Sequence, residues 1–256
     1  MLTISPIPAF NDNYIWHLTR NGEHWVVDPG DAAPVMAELG DTPLSGILIT
    51  HHHYDHTGGI AELRSRYQCP VIGPASIDGV TDPIADGDQL ELLGMPMQVL
   101  AVPGHTLDHL ALVLHESRDG RDRQHLFCGD TLFAAGCGRL FEGTPAQMHA
   151  SLGKLAALPP QTLVYCAHEY TLANLRFAEA AEPGNSAVAN RLSEVKALRA
   201  EQRVTLPSSI GEELATNPFL RCHVPAVAHR AAGHCGMESA DEVEVFACLR
   251  RWKDSF

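Results

Sequence analysis

Residues 49–59, ITHHHYDHTGG, place four histidines and one aspartate within six consecutive positions. They follow the short apolar run GILIT at 46–50, which predicts a buried strand that ends at the first histidine. His51 and His53 are two residues apart and point the same way in an extended segment, whereas Asp55 and His56 lie where the chain turns towards a helix. One short loop can therefore supply ligands to two metal ions.

Three further apolar runs end in a residue that can bind a metal. MQVLAVPG leads to His105, HLFCG to Asp130 and VYCA to His168. Ligands that follow strand ends gather along one edge of a sheet, where α/β folds place their sites. Imidazole and carboxylate ligands without thiolate suit zinc, iron or manganese.

A reading without metal is also available for these histidines. A histidine at a strand end can be satisfied by a backbone carbonyl, and a His-rich tract can form a solvated turn. The four strand ends together favour the metal site. His52 is left out of the ligand set, because strand alternation turns it away from His51 and His53.

Composition limits the class of protein. The 256 residues carry a net charge of -13, which opposes binding to nucleic acid or to an anionic membrane. The N-terminal stretch has neither a basic start nor a signal-length apolar core, so an unprocessed cytoplasmic protein is expected, and no apolar run approaches a membrane span. The seven cysteines include no C-x-x-C pair, and most are expected to be buried and reduced.

The pattern changes near residue 170, from short β-branched runs to helical periodicity. Val188, Leu192, Val195 and Leu198 repeat at spacings of four and three. Ser239 and Glu242 predict a capping box for a last helix with Val245, Leu249 and Trp252 on one stripe. The predicted organisation is an α/β domain over 1–170 followed by a smaller helical domain over 171–256.

Seven motifs, spread over the whole chain, are typical of one known protein family. They are THHHYDH at 50–56, PGHT at 103–106, GDTLFAAGCGR at 129–139, YCAHEYT at 165–171, EPGN at 182–185, NPF at 217–219 and RRWKDSF at 250–256. The chain thereby resembles glyoxalase II, the hydroxyacylglutathione hydrolase family of the metallo-β-lactamase superfamily. The resemblance implies an αββα sandwich of two mixed sheets for the catalytic domain, and an all-helical C-terminal domain that binds the substrate.

The resemblance also implies two divalent metal ions, with zinc expected and iron or manganese as alternatives. His51, His53 and His105 would hold one ion, Asp55, His56 and His168 the other, and Asp130 would bridge them. A water shared by the two ions would ionise and attack the acyl carbon. Asp55 and Asp130 are the candidate catalytic residues, and one hypothesis has Asp55 orienting the nucleophile or receiving its proton. Cys137 is the rival nucleophile, without a supporting Cys-His pattern.

The implied reaction is hydrolysis of S-(2-hydroxyacyl)glutathione. The expected substrate is S-D-lactoylglutathione, cleaved to glutathione and D-lactate in the second step of methylglyoxal detoxification. The implied substrate-binding residues are Arg139, Phe141, Tyr170, Arg250 and Lys253. Arg250 and Lys253 are three apart and share a helix face, although a solvated basic helix end has the same pattern.

Three positions depart from the family pattern. The family often has lysine at Arg139, tyrosine at Phe141 and glycine at Asp108. Two rival classes remain at this point: a persulfide dioxygenase with one redox metal, and a non-catalytic metal-binding or interaction module. The C-terminal extension argues against a persulfide dioxygenase. The presence of all seven candidate ligands argues against a non-catalytic module. A monomer acting on a small molecule, without a nucleic-acid or membrane partner, is expected.

Overall fold

The computed structural model describes residues 1–118, 120–238 and 241–256. The strands are β1 Thr3–Ala9, β2 Asn13–Arg20, β3 Glu23–Val27, β4 Gly46–Leu48, β5 Val71–Gly73, β6 Asp82–Pro83, β7 Gln89–Leu92, β8 Met95–Ala101, β9 Leu110–Arg118, β10 Arg121–Gly129, β11 Leu132–Phe133, β12 Gly136–Cys137, β13 Leu163–Cys166 and β14 Ser208–Ser209. The helices are α1 Ala32–Leu39, α2 Tyr54–Thr57, α3 Ile60–Tyr67, α4 Pro145–Ala156, α5 Thr171–Ala181, α6 Ser186–Ala200, α7 Ile210–Thr216, α8 Pro225–Cys235 and α9 Glu242–Asp254, with a 3-10 turn at Pro218–Leu220. Among the helices of these described residues, none is both long and apolar enough to span a membrane.

The first sheet is mixed and has the strand order β1-β2-β3-β4-β5-β6. Its first three strands pair antiparallel, whereas β3 to β6 pair parallel. The parallel register sets Val27 opposite Leu48. The chain therefore leaves β3 and β4 at the same edge of the sheet, which brings Asp28 beside the segment that carries the histidines.

The second sheet has the order β14-β13-β10-β9-β8-β7, and a two-stranded ribbon joins β11 to β12. The strand β14 comes from the C-terminal region, which was expected to be all helical. It is only two residues long and pairs antiparallel with β13. Two main sheets with flanking helices and a helical C-terminal region confirm the predicted fold class.

The chain divides into two compact units that do not follow a single boundary in sequence. The first comprises Met1–Ala101, Asp108–Gly129 and Tyr165–His168, and the second comprises Val102–Leu107, Asp130–Val164 and Glu169–Phe256. In the first unit, α1 and α3 bury one face of each helix against the first sheet. Val35 and Leu63 pack there with Ile15, Ile47 and Val71, all nearly inaccessible to solvent.

The end of β13 is fastened to β2 within the first unit. The indole of Trp16 donates to the carbonyl of Cys166 at 2.9 Å and packs edge-on against the ring of Tyr165. The amide of Tyr14 donates to the carbonyl of Ala167 at 2.7 Å. These contacts fix the position at which His168 follows the strand.

In the second unit, α5 and α6 pack through a small apolar cluster. Val188, Leu192 and Val195 are buried there against Leu175 and Ala178, which confirms the predicted helical periodicity of this segment.

The last helix starts from a different capping residue than predicted. Asp241 accepts a hydrogen bond from the amide of Glu244 at 2.9 Å, and the Glu244 side chain accepts from the amide of Asp241 at 3.0 Å. The predicted cap, Ser239, lies outside the described residues. Val245, Leu249 and Trp252 are buried on one stripe of α9, as predicted.

One pair of cysteines is bonded. Cys235 at the end of α8 and Cys248 in α9 form a disulfide across a sequence separation of 13 residues. The expectation of buried, reduced cysteines is correct for the other five, Cys69, Cys128, Cys137, Cys166 and Cys222. The pairing depends on how α8 packs on α9, and sequence spacing does not encode that packing.

Glu213 of α7 is buried and should make stability depend on pH. Its Oε2 accepts from the amide of Ala135 at 2.8 Å and from Nδ2 of Asn217 at 2.9 Å. Burial raises the pKa of Glu213 from 4.5 to about 7. Between these values the folded protein keeps a proton that the unfolded chain releases, so the free energy of unfolding falls as the pH rises through this window.

We expect Glu213→Gln to remove that part of the pH dependence, which amounts to up to about 3 kcal/mol. Urea unfolding at several pH values measures it, and the difference from wild type isolates Glu213 from other titrating groups. Glu179→Gln, on the exposed side of α5, is the control and should leave the profile unchanged. A Glu213→Gln profile parallel to that of wild type would contradict the assignment.

Candidate metal centre

A carboxylate at the end of β3 organises the histidine loop. Asp28 has a positive φ of 53°, a conformation in which aspartate is enriched among non-glycine residues. Its Oδ1 accepts from the amide of Thr50 at 2.8 Å. Its Oδ2 accepts from the Thr50 hydroxyl at 2.7 Å and from Nδ1 of His56 at 3.1 Å. One buried carboxylate thus holds the loop at two points.

These hydrogen bonds determine which ring nitrogen carries the proton. Since Asp28 accepts from Nδ1 of His56, the Nε2 atom of that ring keeps its lone pair. Nδ1 of His51 lies 3.1 Å from the Thr50 hydroxyl, whose own proton is donated to Asp28. His51 is therefore the donor to this hydroxyl, and its Nε2 is also unprotonated. His168 donates from Nδ1 to Oδ1 of Asp12 at 2.8 Å. In all three imidazoles, Nε2 is therefore the atom that could bind a metal.

Asp55, His56 and His168 each direct one possible ligand atom at the other two within the first unit. Oδ2 of Asp55 lies 3.4 Å from Nε2 of His56 and 3.5 Å from Nε2 of His168. Two ligands of a tetrahedral zinc ion are separated by about 3.3 Å. The lone pairs of these atoms repel one another unless a cation lies between them, so the donor set and its spacing fit a divalent metal.

A second pair of possible ligand atoms lies close together in His51 and His53. Nε2 of His51 lies 3.2 Å from Nδ1 of His53. The ring of His51 is buried and stacks on His109 with centroids 4.5 Å apart. His52 instead bonds to Asp108 and has an exposed ring.

The second unit supplies His105 and Asp130. Nδ1 of His105 donates to the carbonyl of Arg139 at 2.8 Å, so Nε2 is the atom of this ring that could bind a metal. That Nε2 lies 3.4 Å from Oδ2 of Asp130, and both residues are buried. Gly138 passes so close to the Asp130 carbonyl that a Cβ would lie 2.0 Å from it, so only glycine fits there.

The predicted cations also lie in the second unit, but not all are accessible. Arg250 is only 6% exposed. Its guanidinium donates to the carbonyl of Cys137 at 2.8 Å and to Asp254 at 2.9 Å. Asp254 also lies 3.6 Å from Nε of Arg139, whose side chain is largely exposed. Burial lowers the pKa of Lys253, and the neighbouring Arg250 and Arg139 lower it further.

The two predicted aromatic residues are exposed to different degrees. Phe141 is 63% exposed and packs edge-on against the ring of His105. Tyr170 is partly exposed and packs edge-on against Phe133. Both therefore present ring surface that a ligand could contact.

Cys137 is not suited to act as a nucleophile. The thiol is buried, and burial raises its pKa to about 11, although the nearby Arg250 opposes this shift. At neutral pH it is therefore a thiol and not the reactive thiolate.

Sequence reasoning missed the residues that contact and orient the candidate ligands. Asp12, Asp28 and His109 lie outside the histidine motif and were not singled out. Asn13, whose side chain donates to Oδ2 of Asp55 at 3.0 Å, was also missed. The only signal available was that Asp12 and Asn13 lie in the turn FNDN, and that Asp28 opens the turn DPG at a strand end.

Two family models together match almost the whole chain. The model for the hydroxyacylglutathione hydrolase C-terminus matches residues 169–256. The model for the metallo-beta-lactamase superfamily matches residues 11–168. Among relatives, a hydroxyacylglutathione hydrolase from Dechloromonas aromatica is 53% identical, and one from Ectopseudomonas mendocina is 54% identical. Each alignment covers 100% of both chains.

Solved structures share the fold at lower identity. ETHE1 from Myxococcus xanthus superposes with a TM-score of 0.65 at 23% identity, over 98% of this chain and 91% of its own. TTHA1623, described in a di-iron-bound form, gives a TM-score of 0.57 at 23% identity, over 85% of this chain and 100% of its own. These likenesses support the fold alone.

The arrangement predicts that Asp28 controls metal affinity although it is not itself a proposed ligand. Asp28→Asn removes the charged acceptor behind His56 and Thr50, so we expect zinc affinity to fall by about tenfold to a hundredfold. Competition with a chromophoric chelator measures the change. Asp31→Asn is the control, since Asp31 caps α1 by accepting from the amide of Ala33. Equal affinities for the two variants would show that Asp28 does not orient the ligand.

Proposed function

The chain belongs to the hydroxyacylglutathione hydrolase family of the metallo-β-lactamase superfamily, and from that premise we propose that it hydrolyses S-(2-hydroxyacyl)glutathione. The substrate is S-D-lactoylglutathione, and the products are glutathione and D-lactate, the second step of methylglyoxal detoxification. The full-length identity of 53% to a hydroxyacylglutathione hydrolase is the single observation that carries the assignment.

The proposed ligands form three groups. His51, His53 and His105 would hold one divalent ion, Asp55, His56 and His168 would hold the other, and Asp130 would be a ligand of both. Zinc suits these ligands, and iron and manganese are the alternatives. TTHA1623, which has the same fold, is described in a di-iron-bound form. When bound, such a pair of ions supplies Lewis acidity that acidifies a water and polarises the thioester carbonyl.

The protein itself contributes hydrogen bonds that fix which ring nitrogen of each histidine is protonated. Asp28 accepts a hydrogen bond from Nδ1 of His56, and Asp12 accepts one from Nδ1 of His168. Neither ring can therefore turn its N–H group towards the metal site. Asp55 is in a different position, because 41% of its side chain is exposed and solvent can reach it. We assign to Asp55 the orientation of the attacking water or the acceptance of its proton. Asp130 would contribute by binding both of the ions at which the reaction takes place.

The leaving group needs little assistance. A thiolate whose conjugate acid has a pKa of about 8.5 departs without a strong general acid. The buried thiol of Cys137, with its raised pKa, takes no part in covalent catalysis. Direct attack by water on the acyl carbon is therefore the proposed route.

Five residues form the proposed substrate site: Arg139, Phe141, Tyr170, Arg250 and Lys253. Glutathione carries two carboxylates, and Arg139 and Lys253 are the cations of this group with exposed surface. Arg250 is buried on Cys137 and Asp254, so its role is to hold the Cys137 carbonyl and to add positive potential. Phe141 and Tyr170 supply apolar contact.

We also propose the domain assignment that the sequence predicts. Residues 1–170 form the catalytic domain, which also carries Arg139, Phe141 and Tyr170 of the substrate site. Residues 171–256 form the substrate-binding domain, which carries Arg250 and Lys253. The protein acts as a monomer in the cytoplasm, where glutathione is a main thiol buffer. Its partner is a small molecule, and neither nucleic acid nor membrane is required.

The direct test is glutathione release from S-D-lactoylglutathione by the purified protein, with metal analysis of the same sample. His53→Ala removes a proposed ligand and should lower kcat/KM by about a thousandfold or more. His149→Ala is the control, because His149 contacts Glu242 and no proposed ligand. A protein with two bound ions that releases no glutathione would refute the substrate assignment, and oxygen uptake measured in parallel tests for a persulfide dioxygenase.

The cationic residues should affect binding more than chemistry. Arg139→Ala and Lys253→Ala should each raise KM for the glutathione thioester by about threefold to tenfold, with kcat nearly unchanged. A thioester of N-acetylcysteamine, which lacks both glutathione carboxylates, should be hydrolysed equally by wild type and variants. If both substrates respond alike, these cations do not bind the glutathione carboxylates.

A further inference from the structure

Asp108 connects the histidine loop to a separate part of the first unit. Its Oδ1 accepts from Nδ1 of His52 at 2.9 Å, and its Oδ2 accepts from the hydroxyl of Ser76 at 2.8 Å. The Asp108 side chain is only 18% exposed. A single carboxylate thus joins the loop to the segment that follows β5, with one oxygen for each partner.

The position of His52 gives this contact its importance. Residues 51–53 lie between β4 and α2, outside any strand or helix of the described chain. The amides of His56 and Thr57 hold the end of this loop by donating to the carbonyl of His53 at 3.0 and 3.1 Å. The Thr57 hydroxyl donates to the carbonyl of His53 at 3.0 Å and holds the loop from the helix side. On the other side, the contact of His52 with Asp108 ties down the residue between His51 and His53.

We propose that Asp108 is a positioning residue that raises metal affinity through His52. This inference rests on the proposed function, because it takes His51 and His53 as ligands of one ion. By fixing the residue between them, the contact lowers the conformational freedom that His51 and His53 lose when they bind a metal. Pre-organised ligands bind more tightly for that reason.

A different explanation would be the negative charge of Asp108, which attracts a cation whether or not His52 is held. The two explanations separate in Asp108→Asn. Asparagine has no charge, but its carbonyl oxygen can accept from His52 while its amide donates to the Ser76 hydroxyl. It should therefore keep the positioning and lose only the charge.

The experiment is a zinc titration of the purified metal-free protein in competition with a chromophoric chelator. We expect Asp108→Ala and His52→Ala each to raise the zinc dissociation constant by about threefold to tenfold, less than the loss on removing a direct partner of a ligand. The double variant should be no weaker than the weaker single variant, because each residue acts through the other. Asp108→Asn should stay within about twofold of wild type.

Two variants complete the design. Glu116→Ala removes a carboxylate that is 20% exposed and 3.3 Å from His125, a matched histidine-carboxylate pair away from the loop, and should not change zinc affinity. Ser76→Ala removes only the anchor of Asp108 and should give a smaller rise. It also serves as a milder test if Asp108→Ala folds poorly.

Three results would overturn the inference: zinc affinity of Asp108→Ala equal to wild type, Asp108→Asn as weak as Asp108→Ala, or fully additive effects of the two single variants. Failure of the proposed function looks different, because wild type itself would then bind no pair of ions or release no glutathione.

Discussion

The proposed chemistry depends on hydrogen bonds that lie behind the imidazoles. A histidine near a metal site is useful only if its bare nitrogen faces the ion, and the protein sets this by giving the other nitrogen an acceptor. Asp28 does so for His56, Asp12 for His168 and the carbonyl of Arg139 for His105. Without these acceptors each ring could flip or change tautomer, and the same ligand spacing would present a mixture of N–H groups and lone pairs.

The acceptors in turn depend on the register of the first sheet. The amide of Asp28 donates to the carbonyl of Leu48 at 2.9 Å, so the parallel pairing of β3 with β4 continues to the residue that holds the loop. Gly30 then passes so close to Asp55 that a Cβ would lie 1.9 Å from its carbonyl oxygen. A slip of one residue would move Asp28 to the other face of the sheet. The parallel pairing of β3 with β4 is therefore also a requirement of the site.

The candidate ligands were easier to identify from the sequence than the residues that surround them. The residues from His51 to His56 were visible because chain connectivity alone brings them together, and His105, Asp130 and His168 because each ends an apolar run. Asp12 and Asp28 were missed, because an aspartate in a turn has the same pattern whether it caps the turn or holds a histidine. The disulfide Cys235–Cys248 and the burial of Arg250 both follow from the way α9 packs, which periodicity describes only as an apolar stripe.

The cations of the second unit illustrate a conflict between stability and binding. Lys253 lies half-buried over the rings of Phe177 and Phe256, and burial and the nearby arginines lower its pKa. A lysine whose folded pKa lies below its unfolded value destabilises the fold at neutral pH, and this cost declines only as the pH rises through the folded pKa. Asp254 offsets part of the repulsion by accepting from Arg250 and lying near Arg139. An anionic ligand would offset more of this repulsion. The protein leaves these clustered cations incompletely neutralised, and for that reason a chain of net charge -13 can attract an anion to them.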